Sequence, residues 1–320
     1  MPDGFDRLLP EDVGIDPDGD LPFRMSAVEE PGPVLISCPH SGLEWPDRLN
    51  PRPQVNFRRN ADYAVESLYQ AVGATRIIAR FSRLVVDLNR AEDDVDPELV
   101  PDHPAPRPRV SPGTPVEGPG QRKSPRNHGV IWGSAVGGIR LARRIGYEEL
   151  QRRLDRYHRP YYRALEVLLA RRIERFGHAV LIDAHSMPSR GAPDAVIGTL
   201  GGRTCSAVVR DAALECLRGA AGEGLDARLD APYEGGNLIH HFGRPDSQVD
   251  ALQIEVNRGL YMDELRLDAW TRDTSRSRIA RSHPKTVELL DRLDGLVRSL
   301  TVLSSGSSTG SSGERRAAQK

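Results

Sequence analysis

Val34-Leu35-Ile36-Ser37-Cys38-Pro39-His40-Ser41-Gly42-Leu43-Glu44-Trp45-Pro46 is the stretch that decides the architecture. Its first three residues form a short apolar run, the pattern of a buried strand. Pro39 ends the run, having no N–H to offer a ladder. A histidine and a carboxylate follow, four residues apart, in a glycine-containing loop. The pattern returns at Ala179-Val180-Leu181-Ile182, which leads into Asp183-Ala184-His185-Ser186. Two strands that each deliver a His at the carboxyl end point to one crevice. Two His, one Glu and a water make a catalytic zinc site with an open position. His40, Glu44 and His185 are therefore the candidate ligands of one Zn2+ per chain. A lone His at a strand end more often bonds backbone; a tight pair with a distant third ligand favours the metal. Asp183, read as lying across the strand from His185, is either a supporting carboxylate or a strand anchor.

Outward from these two stretches, apolar runs predict strands at 33–38, 76–80, 84–88, 179–184, 194–198 and 251–256. Helical spacing predicts helices at 60–73, 147–176, 204–219 and 283–301. The first helix rests on an Asn60 cap and on Ala64, Leu68 and Ala71. Pro160 is expected to end or kink the second. Strands alternating with helices imply an α/β fold with a central mixed sheet flanked by helices. Residues 1–30 read as an irregular arm and 31–303 as a single domain. Residues 91–129 are dense in Pro, Asp, Gly and Arg; they read as a loop insertion bordering the site. The Ser/Gly-rich 304–320 reads as a disordered tail.

Composition excludes several classes. Hydrophobic residues make up 38%, enough for a core, and the formal charge of −1 gives no global field toward nucleic acid or anionic membrane. The three cysteines, Cys38, Cys205 and Cys216, are odd in number and lack CxxC spacing. They argue against a disulfide scaffold or a cysteine zinc site and fit a reducing cytoplasm. The first twenty residues lack a signal peptide's basic and apolar regions, and no apolar stretch approaches the roughly 18 residues of a membrane span. The expected partner is a small molecule.

Four further segments carry chemistry. Leu252-Gln253-Ile254-Glu255-Val256-Asn257 alternates, so Glu255 lies on a polar face and is either a general base or a solvated edge residue. Leu84-Val85-Val86 leads into Asp87-Leu88-Asn89-Arg90. Arg90 can grip a carboxylate by a two-pronged bond, and Arg83 is a candidate electrophile for a scissile carbonyl. The Gly235-Gly236 turn lets backbone approach a ligand closely. His240-His241 follows it, with at most one ring able to face a pocket. His103, His128, His158, His178 and His283 stand in polar or loop contexts and carry no signal.

Taken together, Pro39-His40-Ser41-Gly42 with Glu44, Ser82-Arg83 with Asp87-Leu88-Asn89-Arg90, Asp183-Ala184-His185-Ser186-Met187, Tyr233-Glu234-Gly235-Gly236 and Gln253 through Met262 resemble the N-formylglutamate amidohydrolase family. The similarity runs from about residue 33 to about 265. That family is related to zinc carboxypeptidases and aspartoacylases. The resemblance implies a phosphorylase/hydrolase-like three-layer sandwich, with zinc on His40, Glu44 and His185. It implies Glu255 as base and proton shuttle, Arg83 as carbonyl polariser, and Asn89 and Arg90 as holders of the substrate carboxylate. The carboxypeptidases space their first pair His-x-x-Glu, where this chain has His-x-x-x-Glu. The implied reaction is hydrolysis of an N-acyl amino acid, N-formyl-L-glutamate to L-glutamate and formate being the family's example. The rivals are a zinc carboxypeptidase acting on a small or cell-wall peptide and a non-catalytic binding protein retaining the fold.

Overall fold

The computed structural model describes residues 4–69, 73–107, 128–141, 144–219, 222–264, 267 and 284–306. Its strands are β1 (Phe23–Ser26), β2 (Val34–Cys38), β3 (Thr75–Ala79), β4 (Ala179–Met187), β5 (Ala195–Gly198), β6 (Ala227–Leu229) and β7 (Val249–Asn257). They form one mixed sheet in the order β1-β3-β2-β4-β7-β5-β6. The two His-bearing strands are neighbours and parallel, Ile36 opposite Ile182, so both open at the same edge. β4 also pairs in parallel with β7, which sets His185 opposite Glu255.

Alternation along the strands sends side chains to two apolar layers. Val34, Ile36, Val180, Ile182, Leu252 and Ile254 meet α3 (Ala207–Arg218) and α5 (Pro284–Gly306) on one face. Leu35, Leu181 and Ala251 meet α1 (Tyr147–Arg153) and α2 (Arg159–Phe176) on the other. A sheet covered on both faces is why β2 and the first half of β4 read as unbroken apolar runs.

Several expectations are corrected. Residues 60–69 are not an α-helix but two 3-10 turns, Phe57–Asn60 and Val65–Ser67, broken by Ala64 at φ 62°. The Asp62 N–H donates to the His40 carbonyl at 2.9 Å, so the chain is drawn to the site instead of coiling on itself. Residues 70–72 of that expected helix lie outside the described residues. Leu84-Val85-Val86 is buried as predicted but turns instead of extending, with the Val85 N–H on the Ser82 carbonyl at 2.9 Å. Apolar burial alone does not dictate strand geometry.

The 147–176 helix breaks where Pro160 requires. A π-turn at Leu154–His158 separates α1 from α2, and the proline sits in the first turn of α2. The expected irregular arm is part of the domain. β1 pairs antiparallel with β3, Val13 and Phe23 are buried, and Asp6 meets the buried Arg172 Nη1 at 2.9 Å. The short β1, β6 and α4 (Asn237–Phe242) went unread. Part of the 91–129 segment packs inward through Val95, Leu99 and Val100; residues 108–127 lie outside the described residues, as do 307–320 of the tail. Residues 304–306 continue α5.

Candidate active site

The loop after β2 is pinned at Gly42. A Cβ there would lie 2.1 Å from the Phe81 carbonyl oxygen, so only glycine allows the approach. The Leu43 and Glu44 N–H groups both donate to the Arg80 carbonyl, at 3.1 and 3.0 Å. This tether leaves His40 buried and turns Glu44 outward. The Glu44 carboxylate is 60% exposed and pairs with Arg80 Nη2 at 3.2 Å. Glu44 is thus not among the groups that converge, and the expectation that it completes the ligand set is corrected.

Asp62 converges instead. His40, Asp62 and His185 are all buried and bring one donor atom each to within 4.8 Å of one another. Asp62 Oδ2 lies 3.3 Å from His40 Nδ1 and 2.9 Å from His185 Nδ1. Each imidazole is backed by a second carboxylate: His40 Nε2 meets Asp87 Oδ1 at 2.8 Å, and His185 Nε2 meets Asp183 Oδ2 at 2.8 Å. Asp183 is on the same side of β4 as His185, because residues two apart share a strand face. An ionised carboxylate only accepts, so each Nε2 carries the proton and each Nδ1 lone pair faces Asp62. This carboxylate–imidazole pattern is how metal-binding histidines are oriented. Without a cation, two extra protons would be needed to make those Nδ1 contacts attractive; a divalent ion replaces them. The donor set therefore fits zinc.

Burial opposes ionisation of Asp62, yet hydrogen bonds and charge from His185 and His40 hold its carboxyl well below the usual range. Burial likewise opposes the His185 cation, but Asp183 and Asp62 hold it well above the ordinary imidazole value. Asp87 is buried, and the charges of Arg83 and His40 keep it ionised. Arg83 reaches Asp87 Oδ2 through Nη2 at 2.6 Å and Nε at 3.1 Å, and the Trp132 indole N–H donates there at 3.0 Å. Arg258, quoted within a motif but given no role from sequence, donates to Asp62 Oδ1 at 3.1 Å and to the Ser186 hydroxyl at 3.0 Å.

Asn89 and Arg90 both bond groups of the protein itself. Asn89 Nδ2 donates to Asp183 at 3.2 Å and to Gln253 at 3.1 Å, and its Oδ1 accepts from the Leu238 N–H at 2.8 Å. Both amide protons are used. Arg90 donates to the carbonyls of Asn89 and His128, at 2.8 and 3.2 Å. His158, dismissed from sequence, bonds the Arg90 carbonyl at 2.9 Å, and Tyr162 donates to the Leu88 carbonyl at 2.9 Å. The Gly235-Gly236 turn does permit a close approach, but to Asn89: a Cβ on Gly236 would lie 2.2 Å from its Nδ2.

Glu255 is no edge residue. β7 lies inside the sheet and every residue of it is buried. Gln253 Nε2 donates to Glu255 Oε1 at 2.9 Å, and among the described residues no side chain bonds Oε2. Burial raises the Glu255 pKa to about 7, with the His185 charge working against the rise and Asp62 adding to it.

The geometry finds counterparts in known proteins. The family model described as N-formylglutamate amidohydrolase matches residues 32–262. An N-formylglutamate deformylase of Pseudomonas putida is 32% identical over 246 residues, covering 72% of this chain and 82% of that protein. Its counterpart in Pseudomonas aeruginosa is 32% identical over 254 residues, covering 72% and 83%. The crystal structure of an N-formylglutamate amidohydrolase from Ralstonia eutropha JMP134 superposes with a TM-score of 0.72 at 29% identity, covering 90% of this chain and all of that one. A gene product of Agrobacterium tumefaciens, at 17% identity and a TM-score of 0.56, shares the fold. No helix among the described residues is long and apolar enough to cross a membrane.

Proposed function

The chain belongs to the N-formylglutamate amidohydrolase family and is a hydrolase of carbon–nitrogen amide bonds, and from that premise we propose that it converts N-formyl-L-glutamate to L-glutamate and formate with one zinc ion. The observation that carries this reading is the convergence of two carboxylate-backed Nδ1 atoms on Asp62. The mixed sheet with helices on both faces is in keeping with a phosphorylase/hydrolase-like sandwich.

His40, Asp62 and His185 would hold the ion. When bound, it supplies a Lewis acid and brings the pKa of a coordinated water toward about 7. Glu255 takes a proton from the attacking water as its oxygen bonds the formyl carbon. The same carboxyl then returns the proton to the amide nitrogen as the C–N bond breaks. A carboxyl poised near 7 suits both transfers at neutral pH. Arg83, with Nε and Nη2 on Asp87, keeps Nη1 as the donor for the developing oxyanion. Asn89 and Arg90 belong to the frame that holds Asp183, Gln253 and the Gly236 turn, rather than to the substrate.

Formate release from N-formyl-L-glutamate, measured before chelation, after chelation and after zinc is restored, tests the reading. Activity should vanish and return. Turnover indifferent to chelation would exclude the metal, and no turnover in zinc-loaded protein would exclude the substrate.

A further inference from the structure

Asn89 uses its amide protons on Asp183 and Gln253, and Arg90 spends Nε and Nη1 on backbone carbonyls, so other arginines become candidates for the group that reads an acidic substrate. Many arginines in the described residues pair with a carboxylate; Arg52 and Arg58 do not. Among the described residues neither forms an ion pair. Arg52 lies over the Phe57 ring at 4.3 Å and Arg58 over the Tyr63 ring at 5.1 Å. Arg58 Nη1 is buried and has no hydrogen-bond partner. A buried guanidinium N–H left unpaired is costly, so it signals a missing acceptor.

Both arginines line one cavity of about 570 Å3, with Leu43, Val55 and Phe57. No acidic residue is among its lining residues. Arg52 is exposed, at the mouth, and Arg58 is half-buried. The volume is ample for a side chain the size of glutamate. Guanidinium forks on an apolar wall suit a carboxylate on a short aliphatic stem.

The cavity also adjoins the reaction centre along the chain. Leu43 lies three residues beyond His40, and Arg58 four before Asp62. Phe57 shares an apolar cluster with Trp132, against which Leu43 and Val55 pack. The Trp132 indole N–H reaches Asp87, the carboxylate behind His40.

We propose that this cavity is the carboxylate subsite, where Arg58, assisted by Arg52 at the mouth, binds the side-chain carboxylate of the acyl amino acid. The proposal rests on the amidohydrolase reading above and names the residues that make it selective for acidic substrates. Arg90 is left to the frame.

The test compares N-formyl-L-glutamate with N-formyl-L-norvaline, which keeps the three-carbon stem and lacks the carboxylate. Wild type, Arg58→Gln, Arg58→Lys and Arg52→Gln are assayed at matched zinc content, and glutarate binding is measured by calorimetry. Arg58→Gln should raise KM for N-formyl-L-glutamate at least tenfold, with kcat and the norvaline kinetics within about twofold. Glutarate affinity should fall by a similar factor. Arg58→Lys should recover only part, because it keeps charge but not the fork. Arg52→Gln should show the smaller loss. Equal losses on both substrates would make Arg58 a support for the Asp62 turn and overturn the proposal. Wild-type turnover with an unchanged KM in Arg58→Gln would sink the subsite and leave the reaction standing. A wild type that releases no formate, yet binds glutarate through Arg58, would sink the reaction and leave the cavity as a carboxylate site. Absence of glutarate binding in active wild type would remove the cavity from recognition altogether.

Discussion

The two halves of the centre are built by opposite means. β4 and β7 present Asp183, His185, Gln253 and Glu255 by strand geometry alone; the period of two aims each pair, and parallel pairing sets His185 opposite Glu255. The loops after β2 and before β3 present His40 and Asp62 by tethers: the close pass at Gly42, the Asp62 N–H on the His40 carbonyl, and the Arg258 bonds. The difference teaches where such a site is rigid by construction and where it depends on individual contacts. A strand residue keeps its direction as long as the sheet exists. A loop residue keeps it only while each tether holds.

The largest effect should come from the tethered half. Asp62→Ala should abolish stoichiometric zinc and bring turnover to background, because the atom shared by both Nδ1 contacts is gone. Elemental analysis that found full zinc in this variant would place the ion elsewhere.

On the strand side, Glu255→Gln should retain zinc and lose about a hundredfold or more in kcat, the usual scale for a lost general base. The same change separates the strand half by pH. With its pKa raised to about 7 in the fold against an ordinary 4.5, Glu255 favours folding in its protonated form. That contribution is present below about 4.5 and is lost as pH rises through about 7. Chelated wild type should therefore lose stability over this window in urea titrations, and Glu255→Gln should flatten the slope. A parallel slope in both proteins would mean Glu255 ionises normally.

The Asn89 side chain braces the strand half, bonding Asp183 and Gln253 and accepting from the Leu238 N–H of α4, so its loss tests how far that half depends on a single contact. Asn89→Ala takes one donor from Asp183 and one from Gln253 and removes the acceptor of the Leu238 N–H, and should cost roughly 2–4 kcal/mol in denaturant unfolding. A cost below about 1 kcal/mol would show that water replaces the amide and that the strand half stands without this brace.

Glu44→Gln should do least. Its pair with Arg80 is exposed and is worth about 0–1 kcal/mol. Zinc content should not change; a loss of metal would restore Glu44 to the centre and undo the division drawn between the halves.

What was legible in the sequence follows the same line. β2 and β4 were readable from apolar runs and β7 from its alternation, and His185 and Glu255 came with them. His40 was readable as the first polar group after such a run. Asp62 was not: it sits in a stretch whose Ala64, Leu68 and Ala71 spacing mimics a helix, and only the tertiary bond to the His40 carbonyl shows that it turns. Asn89 and Arg90 were located, but their bonds within the protein were not legible, since a buried amide with every proton used looks, in sequence, like one waiting for a ligand. Arg58 had no signal at all among the many arginines. The absence of a nearby carboxylate is a fact of three dimensions.

The buried pair of Asp6 and Arg172 has a meaning for the order in which the molecule can be made. Asp6, which also accepts from the Thr75 hydroxyl, belongs to the opening residues, and its charged partner lies near the end of α2. On a ribosome the aspartate leaves the tunnel long before the arginine is synthesised. The opening residues can settle only after β3 and α2 have been laid down, and β4, which carries His185, follows α2 directly. Closure of the first residues onto α2 and assembly of the His40, Asp62 and His185 cluster thus become available at nearly the same point of synthesis. The folding of this chain is dominated by contacts distant in sequence, a topology that favours slow, late and cooperative completion.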